Sequence, residues 1–350
     1  MSLQIPTNTP LTRPPEDYCR AQDACWFQIP GGKDAGKVMF YYDITVGEEP
    51  PEATIVMVHG NPETSYTYRH IRDELIASGR PVRIIAMDHI GFGLSDQADF
   101  EMIDMHHAEN LLQLVRFLDL TEVTLAIHDW GGPIGVGAFI EDPYRVRNLL
   151  VMNTSIFPMP KTGYTYTNYP HPVLTWALFP RLYPAFAWGG VAATAVTNGE
   201  PQGALSLIAR AMRYTFAHVF NRLPKDSPEY VWAQSLRSTA NALSSMRNVK
   251  QTPRWGYGYR YNDTSYGIQD NSEFYRLMQE RVPEYWRDCP AVGVFGQWDP
   301  CGKEEVIQQW HEALPCMKRH TLRYSDVGHF VEEYKGAEIA REIIHLNFSE

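Results

Sequence analysis

From Thr124 to Gly135 the chain holds a whole structural unit in one short stretch. Apolar and β-forming residues, Thr124-Leu125-Ala126-Ile127, stop at His128-Asp129-Trp130, meet Gly131-Gly132, and pass into helical character at 133–141. Apolar residues without alternation mark a strand covered on both faces, and glycines mark the sharp turn that ends it. A covered strand feeding straight into a helix belongs in a layered α/β fold. The turn between them pushes one residue, here Asp129, into the open.

The same rhythm runs through the first half of the chain. Further strands are predicted at 37–43, 53–60, 82–88 and 146–152, with helices at 68–77 and 105–118. From the 53–60 strand onward the order is β-α-β-α-β-α-β, which implies a parallel sheet with right-handed crossovers. Residues 1–24 read as an irregular leader, and Glu48-Glu49-Pro50-Pro51-Glu52 as a turn. Beyond Ser155 the rhythm breaks. No clear strand is predicted before about Asp288; the segment is dense in Tyr, Trp, Phe and Pro, with helical spacing at 204–220 and 229–246. It resumes with a strand at 291–296, a helix at 303–313, a strand at 321–324 and a helix at 336–346. The predicted class is α/β, a mostly parallel doubly wound sheet. Core parts at 1–154 and 289–350 would flank a helical cap at 155–288 lying over the sheet.

Composition excludes several alternatives. With 350 residues, 44% hydrophobic and 21% charged, the chain can bury a large core. A net charge of -10 without a basic stripe argues against nucleic acid as a partner. The five cysteines (Cys19, Cys25, Cys289, Cys301, Cys316) are scattered and odd in number, which suits a reducing compartment rather than a disulfide framework or zinc site. No apolar run is long enough for a signal peptide or a membrane span. The expectation is therefore a soluble, cytoplasmic protein without a membrane partner.

In open α/β sheets the loops at the carboxyl ends of the strands face one crevice. Four such loops carry reactive side chains: Asn61, Asp129, Asp299 and His329. Their order, carboxylate, acid, histidine, is that of an α/β-hydrolase triad. An Asp before a helix is often only an N-cap. As a nucleophile, though, a carboxylate can displace a leaving group from a saturated carbon and form a covalent ester. His329 would then activate the water that cleaves this ester, with Asp299 orienting its ring. Backbone N–H groups of Asn61 and Trp130 would hold the oxyanion, each worth roughly 100–1000-fold in rate. The Trp130 indole N–H and the Asn61 NH2 are donors suited to a departing anion. His59 and His128 read as buried packing, and His106-His107 as solvated or capping helix residues. A second donor among Trp176, Trp188, Trp232 and Trp255 stays open. Gly91, Gly93, Gly131 and Gly132 read as turn glycines, not a nucleotide loop. No metal or cofactor is expected.

The chain resembles the haloalkane dehalogenase family and its close relatives within the α/β-hydrolases. The matching pieces are His59-Gly60-Asn61-Pro62, the loop from Asp88 to Asp96, His128-Asp129-Trp130-Gly131-Gly132, Met152-Asn153, Gly296-Gln297-Trp298-Asp299 and Gly328-His329, within about 35–155 and 288–348. The resemblance implies Asp129 as nucleophile, His329 as base, Asp299 as triad acid, and Asn61 with Trp130 as the halide clamp. Some family members place the triad acid after the 146–152 strand, where this chain has Asn153-Thr154. Ile127 stands where the general nucleophile turn carries a small residue. The Asp88–Asp96 loop is similar to that of a subgroup that includes β-lactone decarboxylases of long-chain olefin biosynthesis. Epoxide hydrolases, the third relative, usually carry Phe at the position of Asn61. The implied partner is a small apolar substrate, halogenated, lactone or epoxide. A homo-oligomer stays open.

Overall fold

A computed structural model describes residues 3–47, 50–195 and 203–348, so Glu48-Glu49 of the expected turn lie outside the described residues. In chain order, the first half contains β1 (Ala24–Gln28), β2 (Val38–Val46), β3 (Ala53–Val58), α1 (Arg69–Ala77), β4 (Val82–Met87), α2 (Asp104–Phe117), β5 (Val123–His128), α3 (Gly131–Phe139) and β6 (Val146–Met152). The insertion carries α4 (Phe179–Leu182), α5 (Trp188–Ala195), α6 (Ala204–Val219), α7 (Pro228–Ser235), α8 (Thr239–Gln251), a hairpin of β7 (Arg260–Asp263) and β8 (Gly267–Asp270), and α9 (Ser272–Tyr285). The chain closes with β9 (Ala291–Gly296), α10 (Glu304–Ala313), β10 (Thr321–Tyr324), α11 (Val331–Tyr334) and α12 (Gly336–Phe348).

The main sheet has the order β1-β2-β4-β3-β5-β6-β9-β10. From β4 to β10 every pairing is parallel, while β1 and β2 run antiparallel at one edge. Successive strand residues face opposite layers. Val56, Val58 and Ile127 join one apolar cluster, and Ile55, Met57 and Ala126 the other. This two-sided burial is why β3, β5 and β9 read as unbroken apolar runs.

Three points differ from expectation. The described part of the leader is irregular as expected, but a strand, β1, follows it at once, and the leader itself is tied down. Thr7 Oγ1 donates to Leu94 O at 2.5 Å, Thr9 Oγ1 to Gly93 O at 2.7 Å, and the Tyr18 hydroxyl to Asp88 Oδ2 at 2.6 Å. The insertion does contain strands. β7 and β8 are too short for alternation to register, and their turn is made by Asp263 Oδ1 accepting from Ser265 N and Tyr266 N. The helix expected at 229–246 is two helices. Ser238 interrupts it by accepting from Asn241 N and capping α8.

The end of the insertion packs with the sheet layers. Tyr275 of α9 donates to Asp104 Oδ2 at 2.7 Å and the Trp286 indole to Pro143 O at 2.9 Å. Among the described residues no helix is long and apolar enough to cross a membrane.

Candidate active site

Strand β5 delivers Asp129 at φ +49, a left-handed conformation that a non-glycine residue adopts only under constraint. The constraint is visible. Thr154 Oγ1 donates to Asp129 O at 2.5 Å, and Asn61 N donates to Asp129 Oδ1 at 2.7 Å. Close approach depends on Gly60 and Gly131. A Cβ at 60 would lie 2.3 Å from Asp129 Oδ1, and one at 131 would lie 1.9 Å from Val58 O. Gly131 and Gly132 thus start α3 rather than precede it. The bulky Ile127 is accommodated from the helix side, because a Cβ at Gly135 would come within 2.7 Å of its Cγ2.

His329 bridges two carboxylates. Its Nδ1 lies 2.6 Å from Asp299 Oδ2 and its Nε2 3.2 Å from Asp129 Oδ2. Burial disfavours the imidazolium, but Asp299 and then Asp129 outweigh it and raise the His329 pKa well above the ordinary value. Asp299 is itself held by Cys301 N, 2.7 Å from Oδ1. Asn153 fixes the histidine loop from below. Its Nδ2 donates to Gly328 O and His329 O at 2.8 and 2.6 Å, and its Oδ1 accepts from Gly296 N at 3.0 Å. The position that could have held the acid is therefore a backbone tether.

The five singled-out residues, Asn61, Asp129, Trp130, Asp299 and His329, line one cavity beneath the insertion. Sequence reasoning missed what orients Asn61. The Ser245 hydroxyl donates to Asn61 Oδ1 at 2.5 Å and accepts from Trp188 Nε1 at 2.9 Å. With its oxygen engaged, the Asn61 carboxamide is left with its NH2 as the free end. Trp130 packs on Trp255 at a tilt of 31° with ring centres 4.1 Å apart, and Trp255 stacks on Tyr166 at 5.2 Å. Of the four tryptophans left open, Trp188 donates to Ser245 and Trp255 to Ser155 O, and Trp232 packs on Phe330; Trp176 lines the cavity. Arg210 adds a cation to the cavity wall, its pKa lowered by burial.

The histidines behind the site divide. His59 accepts from His89 N at 3.0 Å and packs at a tilt against the His89 ring, which packs likewise against His107; burial lowers the pKa of all three. His106-His107 is buried, not solvated, although His106 Nδ1 does cap Ile103 N at 3.0 Å. Their burial was not legible from the helix alone, because it comes from both faces of α2 being covered at that point. His128 is different. Its Nδ1 lies 2.9 Å from Glu63 Oε1, and its Nε2 lies 2.8 Å from His329 O and 3.4 Å from Glu332 Oε2. Burial opposes its charge, but Glu332 and Glu63 raise its pKa to about 9. Burial likewise opposes the charge of Glu63, yet His128 brings it down to about 2. By residue type Glu63, His128 and Glu332 could hold a metal ion. Both ring nitrogens face acceptors, however, so a proton fills the role and no lone pair is left to ligate.

A model of the alpha/beta hydrolase fold family matches residues 53–335. The chain belongs to the α/β-hydrolase fold family. This α/β-hydrolase is an enzyme by its family and its relatives. It is 26% identical over 307 residues to the cis-3-alkyl-4-alkyloxetan-2-one decarboxylase of Shewanella oneidensis, covering 83% of this chain and 81% of that one. Haloalkane dehalogenase 1 of Mycobacterium tuberculosis is 34% identical over 177 residues, 47% of this chain and 56% of that one. The tetrameric haloalkane dehalogenase of Paraglaciecola agarilytica shares the fold with a TM-score of 0.63, at 22% identity over 91% of each chain.

Proposed function

We propose that this α/β-hydrolase cleaves carbon–halogen bonds of small haloalkanes, and that the segment 155–288 serves as the cap over the cavity. The observation that carries the reading is His329 held 3.2 Å from Asp129 and 2.6 Å from Asp299, beside a carboxamide whose NH2 is its free end. The Asp129 carboxylate attacks the carbon bearing the halogen, a C–O bond forms and the C–X bond breaks. The halide leaves toward the N–H groups of Asn61 and Trp130, with Trp176 as a further indole in the wall.

Ester formation also prepares the second step. Alkylated Asp129 is neutral, so one of the two carboxylates that raised the His329 pKa is gone. His329 becomes a competent base toward water. The hydroxide attacks the ester carbonyl of Asp129, the Asn61 backbone N–H supports the oxyanion, and alcohol leaves.

A second reading, β-lactone decarboxylation, is favoured by the decarboxylase relative that matches along more than four-fifths of both chains. Asp129 would open the lactone at its alkyl carbon and free a carboxylate. The carboxylate would then leave as carbon dioxide, its C–C electrons forming the alkene as Asp129 departs. Arg210 in the cavity wall suits the transient carboxylate.

The test uses a His329→Gln variant, 1-bromoalkanes and a dialkyl β-lactone. Dehalogenation predicts bromide release and an alkyl mass retained on Asp129. Decarboxylation predicts alkene from the wild type, with no incorporation of labelled water oxygen. Unimpaired turnover by Asp129→Ala would sink both readings.

A further inference from the structure

Helix α6 (Ala204–Val219) has two apolar faces, and among the described residues only one of them is covered. Leu207, Ala211 and His218 point inward and are buried. On the opposite face Leu205, Ile208, Met212, Phe216 and Val219 follow one another at helical spacing, with Phe220 just beyond. Leu205 is 84% exposed, Met212 65%, Phe216 50% and Phe220 57%. Phe186, in the turn packed against α6, is 66% exposed. A stripe of this kind is about 20 Å long, and soluble surfaces rarely carry one without a partner.

Cations frame the stripe. Arg213, Arg222, Lys225 and Arg237 are exposed, and the ion pairs among the described residues include none of them. From Ala204 to Lys225 the sequence has no Asp or Glu, in a chain whose net charge is -10. Carboxylates resume at Asp226 and Glu229, the latter 3.4 Å from the Tyr214 hydroxyl.

We propose that α6 docks on an anionic bilayer surface, lying in its plane with the Leu205–Phe220 stripe among the acyl chains. An apolar face with flanking cations and no acids is the pattern such helices need. A second copy fits less well, because a two-fold contact through α6 would bring two cationic rims into one interface with no Asp or Glu between Ala204 and Lys225 to answer them. The inner side of the helix lines the cavity through Leu207 and Arg210, so one helix separates bilayer from cavity. The expectation of no membrane partner rested on the absence of a spanning run, which has no bearing on surface docking. Delivery of apolar substrate from the bilayer rests on the function proposed above; docking itself does not.

Flotation of the full chain with vesicles tests this without any substrate. The wild type is expected to float with phosphatidylcholine–phosphatidylserine vesicles and not with phosphatidylcholine alone. Arg222→Gln/Lys225→Gln should lower the partition coefficient by about 25-fold, roughly fivefold per charge. Met212→Ser/Phe216→Ser should abolish flotation while thermal unfolding is unchanged. A folded wild type that floats with neither vesicle, or equally with both, overturns the proposal. So does self-association in light scattering that the Met212→Ser/Phe216→Ser variant removes, with no vesicle binding.

Discussion

Ser245 on α8 and Asn61 after β3 are joined by a 2.5 Å hydrogen bond across the boundary between insertion and sheet. Trp188 on α5 completes the line at 2.9 Å. The donor end of Asn61 is thereby set by residues far from it in sequence.

Ser245→Ala should release the Asn61 carboxamide to rotate. One neutral hydrogen bond is worth about 1 kcal/mol, so kcat/KM for bromoalkanes should fall by roughly fivefold to tenfold. Ser245→Thr keeps the hydroxyl and should recover most of the loss. Steady-state halide release reads the effect, and equal rates in Ser245→Ala and wild type would contradict it.

Asn153→Ala removes both bonds to the His329 loop. The buried carbonyls of Gly328 and His329 lose a donor, which costs about 2 kcal/mol and loosens the His329 ring. Urea unfolding should shift, and kcat should fall more than KM changes. Asn153→Asp should not rescue Asp299→Asn, because the side chain at 153 addresses carbonyl oxygens and not His329 Nδ1.

Gly60→Ala should abolish activity. Its Cβ would lie 2.3 Å from Asp129 Oδ1 and 2.6 Å from Trp130 N, so Asp129 and the first turn of α3 must move away from it. Loss of the ester-forming burst, with a retained circular dichroism spectrum, is the expected result. Full activity would show that Asp129 is not held as described.

Stability should fall on the alkaline side. The His128 pKa is raised from 6.5 to about 9, so the folded state holds a proton that the unfolded chain releases earlier. This stabilisation is complete below about pH 6.5 and is lost as pH rises through about 9, an effect of up to about 3 kcal/mol. Glu63, lowered to about 2, acts at the other end: its contribution is present above about pH 4.5 and is lost as pH falls toward 2. Urea midpoints across this range, with His128→Asn as reference, measure both limbs. An unchanged midpoint between pH 6.5 and 9 would remove the buried imidazolium.

The covered strands β3, β5 and β9 were legible because burial on both faces leaves a near-continuous apolar run. Strand β1 was not, since an edge strand is covered only in part and Ala24–Gln28 mixes Cys, Trp and Gln. The break at Ser238 was hidden because apolar spacing continues across it, and only a side-chain cap marks the end.

For the site, local sequence was enough to say which side chains the strand ends display, since each strand stops at a fixed residue and its loop follows. Asp129, Asn61, Asp299 and His329 could be read in this way. Tertiary structure alone decided how they are held. Asn153 became a tether, Ser245 with Trp188 set Asn61, and Glu63 with Glu332 raised the His128 pKa. The physical reason is range. A strand end is specified by neighbours within a few residues. A hydrogen bond between Ser245 and Asn61, or a charge shared by Glu63, His128 and Glu332, depends on distances that exist only once the layers pack.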